Sequence, residues 1–124
     1  MLFEVLSDLM KVDNVLFIVR NNGAISEVKS NSLTIRKKDE WITIGENSDP
    51  AHLHIDSNLI RSCRFIKEDK SNRMSFSVGF FDCNGDRILG VFFTKMYDEH
   101  ANLIPEREKT YEQLNKKYGP KIEF

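Results

Sequence analysis

Histidine is scarce in this chain, three in 124 residues, yet His52 and His54 stand two positions apart in Ala51-His52-Leu53-His54-Ile55. In an extended strand side chains alternate between faces, so both imidazoles fall on one side and Leu53 and Ile55 on the other. Paired neutral imidazoles can bind a transition metal or a haem iron, and one ring can orient the other. The same spacing equally suits two solvated side chains on the wet face of a sheet. His100, in Tyr97-Asp98-Glu99-His100, reads as a loop residue rather than a third ligand.

A closed metal site takes three or four ligands, and a hydrolytic one also needs a carboxylate base. Glu46, Asp49 and Asp56 are near the histidines in sequence, but nothing in the sequence fixes them in space. No HExxH, Walker loop, GxGxxG or GxSxG occurs. Cys63 and Cys83 lack CxxC spacing and are too few for a disulfide framework, so both read as reduced thiols packed in or near the core. Among the cations of the strand region are Arg20, Lys29, Arg36, Lys37, Lys38, Arg61, Arg64 and Lys95, most of them expected on a wet sheet face. A few converging on one pocket could hold carboxylates. Phe80, Phe81, Phe92 and Phe93 are core material or the walls of an apolar ligand cavity.

The elements that must position these residues follow from the hydrophobic periods. Leu2, Phe3, Leu6, Leu9 and Met10 form one helical stripe, which predicts a short amphipathic helix against a sheet. Val15 to Val19 is a β-branched run ending at Asn21-Asn22-Gly23, a strand and a tight turn. Further strands are predicted over Ala24–Lys29, Ser32–Arg36 and Trp41–Gly45, the last two joined by the turn Lys37-Lys38-Asp39-Glu40. Ala51–Ile55 resumes as a strand, Asp56 or Ser57 caps a single helical turn, and the chain extends again through Cys63, Phe65 and Ile66. Met74, Phe76, Val78 and Phe80 alternate with small residues before Asp82-Cys83-Asn84-Gly85-Asp86 turns the chain into Arg87–Thr94. Pro105 opens a second helix with Tyr111, Leu114 and Tyr118 on its apolar side, and Gly119-Pro120 stops it.

These readings give an α+β domain over residues 1–124, with a helix at each end and seven or eight strands in a large antiparallel sheet. Eighteen basic residues nearly balance nineteen acidic ones, so no net field recommends nucleic acid or an anionic membrane as partner. No apolar run is long enough to span a bilayer, and Met1-Leu2-Phe3-Glu4 lacks the start of a signal peptide, so a cytoplasmic protein is expected.

The order of these motifs resembles the haem utilisation carrier family of the ChuX/HutX/HemS type, from about Phe3 to Lys95. The resemblance is carried by the first helix and Val15-Leu16-Phe17-Ile18-Val19-Arg20, then by Ala24-Ile25-Ser26-Glu27-Val28-Lys29 and Trp41-Ile42-Thr43-Ile44. The histidine strand His52-Leu53-His54-Ile55-Asp56 follows, and Ser77-Val78-Gly79-Phe80-Phe81-Asp82-Cys83-Asn84-Gly85 stands at the family's Phe-Phe-polar-x-x-Gly hairpin. The resemblance implies one α+β unit acting as a homodimer, and a cytosolic protein that binds haem as a carrier or buffer. It implies His54 as iron ligand with His52 as an alternative, and Arg20, Arg36 and Lys95 as cations for the haem propionates. Arg20 stands where short carriers can have a second histidine, and Gly90 where a lysine often lies. Two other readings share this site: a haem-degrading enzyme, for which no separate catalytic group is visible, and a dimeric binding module that has lost haem and holds a non-haem metal or another small ligand.

Overall fold

A computed structural model describes residues 1–30 and 33–124. Helix α1 (Leu2–Met10) buries Leu2, Val5, Leu6 and Leu9, while Phe3 and Met10 lie half-buried at the margins of the stripe. Nine strands follow among the described residues: β1 (Val15–Arg20), β2 (Ile25–Lys29), β3 (Ile35–Lys38), β4 (Trp41–Ile44), β5 (Leu53–Asp56), β6 (Ser62–Lys70), β7 (Arg73–Phe81), β8 (Arg87–Phe93) and β9 (Lys121–Glu123). Helix α2 (Pro105–Tyr118) precedes β9, and a 3₁₀ turn over Ser57–Leu59 joins β5 to β6. No helix among the described residues is long and apolar enough to cross a membrane.

Six strands form the large antiparallel sheet expected, and three more form a second, smaller sheet. Six run in the order β2-β1-β8-β7-β6-β9 and three in the order β3-β4-β5, and every pairing is antiparallel. His54 belongs to the smaller sheet, and His52 immediately precedes its strand β5. Ser32, where a strand was expected to begin, lies outside the described residues. That strand starts at Ile35 and continues through Lys37 and Lys38, leaving Asp39 and Glu40 as a two-residue turn. Asp39 takes φ 54°, a conformation that aspartate tolerates better than most side chains. The resulting register sets Ile35 against Ile44, which keeps the apolar residues on one face. Strand β9 was not expected: it spans three residues just beyond the Gly119-Pro120 stop, too short for alternation to show.

One continuous core joins both sheets and both helices. Phe17, Val78, Phe80, Leu89 and Val91 line the inner face of the large sheet, and Ile42, Ile44 and Ile55 that of the small one. Tyr111 of α2 is fully buried, with the rings of Phe65, Phe76 and Phe93 edge-on to it at 5.1–5.5 Å. Its hydroxyl donates to the Ser77 carbonyl at 2.8 Å. The other face of the large sheet is half-open, with Leu16, Ile18, Ile66 and Phe92 only partly buried. Gly79 and Gly90 pair directly at its centre. A Cβ at either position would come within 2.8–2.9 Å of the ring of Phe81 or Phe92, so each glycine makes room for an aromatic ring lying across the strand.

Cysteine placement is half as expected. Cys63 is buried in β6, but Cys83 is exposed in the β7–β8 turn. That turn is held by the Asp82 carboxylate, which accepts from the backbone N–H groups of Asn84 and Asp86, and this aims residue 83 outward.

Candidate functional site

The small sheet has an inner and an outer face because its register is in phase across all three strands. Arg36 stands opposite Thr43, and Thr43 opposite His54, so these three side chains form one row on the outer face. A second row, Lys38, Trp41 and Asp56, lies two residues along. Burial of Ile42, Ile44 and Ile55 beneath fixes this orientation, since a slip of one residue would turn the isoleucines outward.

His54 is exposed, and its Nδ1 lies 3.0 Å from the Thr43 hydroxyl, itself only 7% exposed. When Nδ1 carries the proton it donates to this hydroxyl, and the lone pair is left on Nε2. His52 lies one residue before β5, and its ring meets that of His54 edge-on with centroids 5.0 Å apart. The two imidazoles are therefore neighbours, as their spacing suggests. Gly45 makes this approach possible. At φ +87° it ends β4 against His52, and a Cβ there would come to 3.1 Å from both the His52 Cβ and the Ala51 carbonyl.

The loop between β4 and β5, which delivers His52, is tied to β3. Arg36 Nη1 is 2.8 Å from Glu46 Oε2, the Thr34 hydroxyl donates to Glu46 Oε1 at 2.7 Å, and the Glu46 N–H donates to Asp49 Oδ2 at 2.7 Å. Glu46 and Asp49 thus brace the loop. The Arg36–Glu46 pair is about half exposed on both sides, so it contributes about 0–1 kcal/mol and a ligand carboxylate could replace Glu46 at little cost. Asp56 accepts from the Asn58 N–H as the cap of the 3₁₀ turn. Among the described residues no group of three or more histidine, cysteine, aspartate or glutamate side chains is placed to hold a metal ion.

The structure joins only some of the residues singled out in the sequence. His52, His54 and Arg36 share one neighbourhood. Arg20 ends β1 opposite Ile25 on the large sheet, and Lys95 follows β8 with φ 53°. Among the described residues no hydrogen bond, ion pair or ring contact joins either cation to a histidine. His100 is exposed in its loop. Phe80 and Phe93 belong to the core, and Phe81 and Phe92 lie over the paired glycines. Phe93 lines a cleft of about 320 Å³, and neither histidine lines that cleft or four others of 270–380 Å³. Cys63 is buried, and burial pushes its thiol up to about 12, which disfavours the reactive thiolate. Trp41, 46% exposed beside the histidine row, was not among the candidates. Its alternation with Thr43 in Trp41-Ile42-Thr43-Ile44 was the signal that places it there.

A family model matches residues 3–119. No curated protein matches the sequence. Among solved structures, the haem-binding protein ChuX superimposes with a TM-score of 0.76 at 18% identity, over 92% of this chain and 70% of ChuX. ChuS, an Escherichia coli haem oxygenase, gives 0.71 at 16% identity, over 91% of this chain and 34% of ChuS. Holo-PhuS, a haem-binding protein from Pseudomonas aeruginosa, gives 0.69 at 16% identity, over 90% of this chain and 31% of PhuS. At such identities the shared property is the fold, and this chain spans about a third of the two longer proteins. With two helices and antiparallel sheets in the same arrangement and a family match across nearly its whole length, the chain belongs to the ChuX/HutX/HemS-like family and forms one unit of that fold.

Proposed function

We propose that this protein binds haem as a cytoplasmic carrier or buffer, with His54 as the iron ligand and His52 as the alternative. The observation that carries the reading is the Thr43 contact, which orients the exposed His54 ring and can leave its Nε2 facing outward. A bare ion would need three or four protein ligands, whereas haem iron brings four ring nitrogens and asks the protein for one or two axial imidazoles. Two neighbouring imidazoles, with no third donor grouped beside them among the described residues, suit the second case. Bound there, haem would supply an iron centre, a flat apolar ring and two carboxylates. Trp41 offers exposed aromatic surface for the ring, and Arg36 can exchange Glu46 for a propionate. Arg20 and Lys95 stand on the large sheet, so the reading rests on Arg36 for this contact.

The histidine face is open rather than enclosed, and the half-open face of the large sheet exposes further apolar surface. Both fit a homodimer of single 1–124 units, in which a second copy covers what one leaves bare. Haemin titration of the purified protein tests the proposal: a stoichiometric Soret shift supports it. No Soret change, with a metal found by elemental analysis, would favour the non-haem module. Incubating the complex with a reductant and oxygen distinguishes carrier from degrading enzyme, since only the enzyme yields ring-opened product.

A further inference from the structure

The large sheet ends on one side in a cluster of cations that the histidine face does not use. Lys70 and Arg73 close the β6–β7 hairpin directly opposite each other, with only Ser71 and Asn72 between them. Like charges placed opposite across an antiparallel pair repel. Lys95 comes to the same place from the end of β8, and Lys70, Arg73 and Lys95 together line a cleft of about 320 Å³ with Ser75, Met74 and Tyr97. Lys95 also lines an adjoining cleft of about 270 Å³, which Lys29 shares. No acidic residue lines either cleft, and among the described residues none of the four cations makes an ion pair. Asp69 and Glu68, the two residues before Lys70, are the nearest acids along that strand, paired with Met74 and Ser75 respectively, and neither lines the cleft.

Lys95 is held there by its neighbours. On one side the Thr94 N–H and hydroxyl both donate to the Asn14 carbonyl, and Arg107 Nη2 donates to the Thr94 carbonyl at 2.8 Å. On the other, Ile104 N–H donates to Met96 O, and the Tyr97 hydroxyl both donates to and accepts from the Met74 backbone. Between these ties Lys95 takes φ 53°, a conformation that costs a non-glycine residue energy and persists when its surroundings impose it. Arg73 is in turn placed 5.0 Å from the Tyr97 ring centroid, so the same tyrosine fixes both sides of the cleft.

We propose that this cleft is an anion site for a diphosphate group. Three cations arriving from three strand ends meet an anion from three directions. A diphosphate presents oxygens on all sides, whereas a carboxylate offers two in one plane. The Ser75 hydroxyl adds a neutral donor. The diphosphate could be inorganic or part of a nucleotide, and the proposal does not depend on haem binding.

Titration calorimetry of the full-length protein at low salt, with inorganic pyrophosphate, adenosine diphosphate and citrate in separate runs, tests it. The expected result is saturable pyrophosphate binding that weakens as sodium chloride is added. Arg73→Gln and Lys95→Gln should each weaken it about tenfold or more, the ratio for losing one charge-assisted hydrogen bond, while Lys37→Gln leaves it unchanged. Tighter binding of adenosine diphosphate than of pyrophosphate would identify a nucleotide as the source. In amide spectra the perturbed resonances should be those of Met74, Ser75 and Met96, a readout that holds even if a variant folds poorly. Absence of pyrophosphate binding at millimolar concentration, equal affinity in both cleft variants, citrate binding as tightly as pyrophosphate, or perturbed resonances elsewhere would each overturn the proposal.

Discussion

Replacing Thr43 by valine removes one hydroxyl and keeps the branched shape that β4 packs. The inner residues Ile42 and Ile44 are untouched, so the sheet should stay folded with a melting temperature within a few degrees of wild type. What disappears is the 3.0 Å contact with His54 Nδ1. A net hydrogen bond of this kind is worth about 0.5–1.5 kcal/mol, which corresponds to a two- to tenfold loss of affinity for any ligand that requires His54 in its present orientation. Haemin titration followed at the Soret band reads this loss. Long-range nitrogen–proton NMR of the free protein reads its cause, because the proton shared between Nδ1 and Nε2 should redistribute once the hydroxyl is gone. Thr43→Ser retains the hydroxyl and should keep both the affinity and the proton distribution. The reasoning is refuted if valine leaves haemin affinity and tautomer unchanged, or if serine loses as much as valine.

Tyr111→Phe strips the donor from the buried Ser77 carbonyl, with the part-buried Ile66 carbonyl 3.3 Å from the same hydroxyl, and should lower unfolding free energy by about 1–3 kcal/mol, read as a fall in the urea midpoint. Asp8 accepts from Lys117 and Tyr118, which tie α1 to α2, and the Lys117 bond, followed by that of Tyr118, holds its carboxyl below the ordinary carboxylate range. A carboxylate depressed in the folded state contributes stability that is present above its unfolded pKa and lost as pH falls through its folded value. Asp8→Asn should therefore cost about 1 kcal/mol at neutral pH and flatten the acid side of the stability curve, measured by denaturant melts from pH 7 downward. A thiol reagent should modify Cys83 in the native protein at pH 8 and reach Cys63 only on unfolding; rapid native labelling of both would contradict the burial of Cys63.

Much of the architecture was legible because it rests on local signals. The 3.6-residue stripe of α1, the Met74–Phe80 alternation and Pro105 at the start of α2 all name their elements, and the structure places them within a residue or two. The division into two sheets was not legible, since short connections show that strands pair antiparallel but not where one sheet stops. Cys83 and the phenylalanines show a related limit: residue type sets an average tendency to bury, whereas the Asp82-capped turn and the paired glycines decide each case. At the site, the period of two brought His52 and His54 together correctly. Thr43 and Trp41 did not stand out as site residues, and Glu46 could not be placed in space, because their positions depend on register across three strands, which no single stretch of sequence states.

The central claim, that His54 on the outer face of the small sheet ligates haem iron, is tested most directly by haemin titration of His54→Ala beside wild type, with melting curves to show that both are folded. The account predicts a stoichiometric Soret shift for wild type and a displaced, much weaker one for His54→Ala. Equal affinity and an unchanged Soret position in the variant would contradict it.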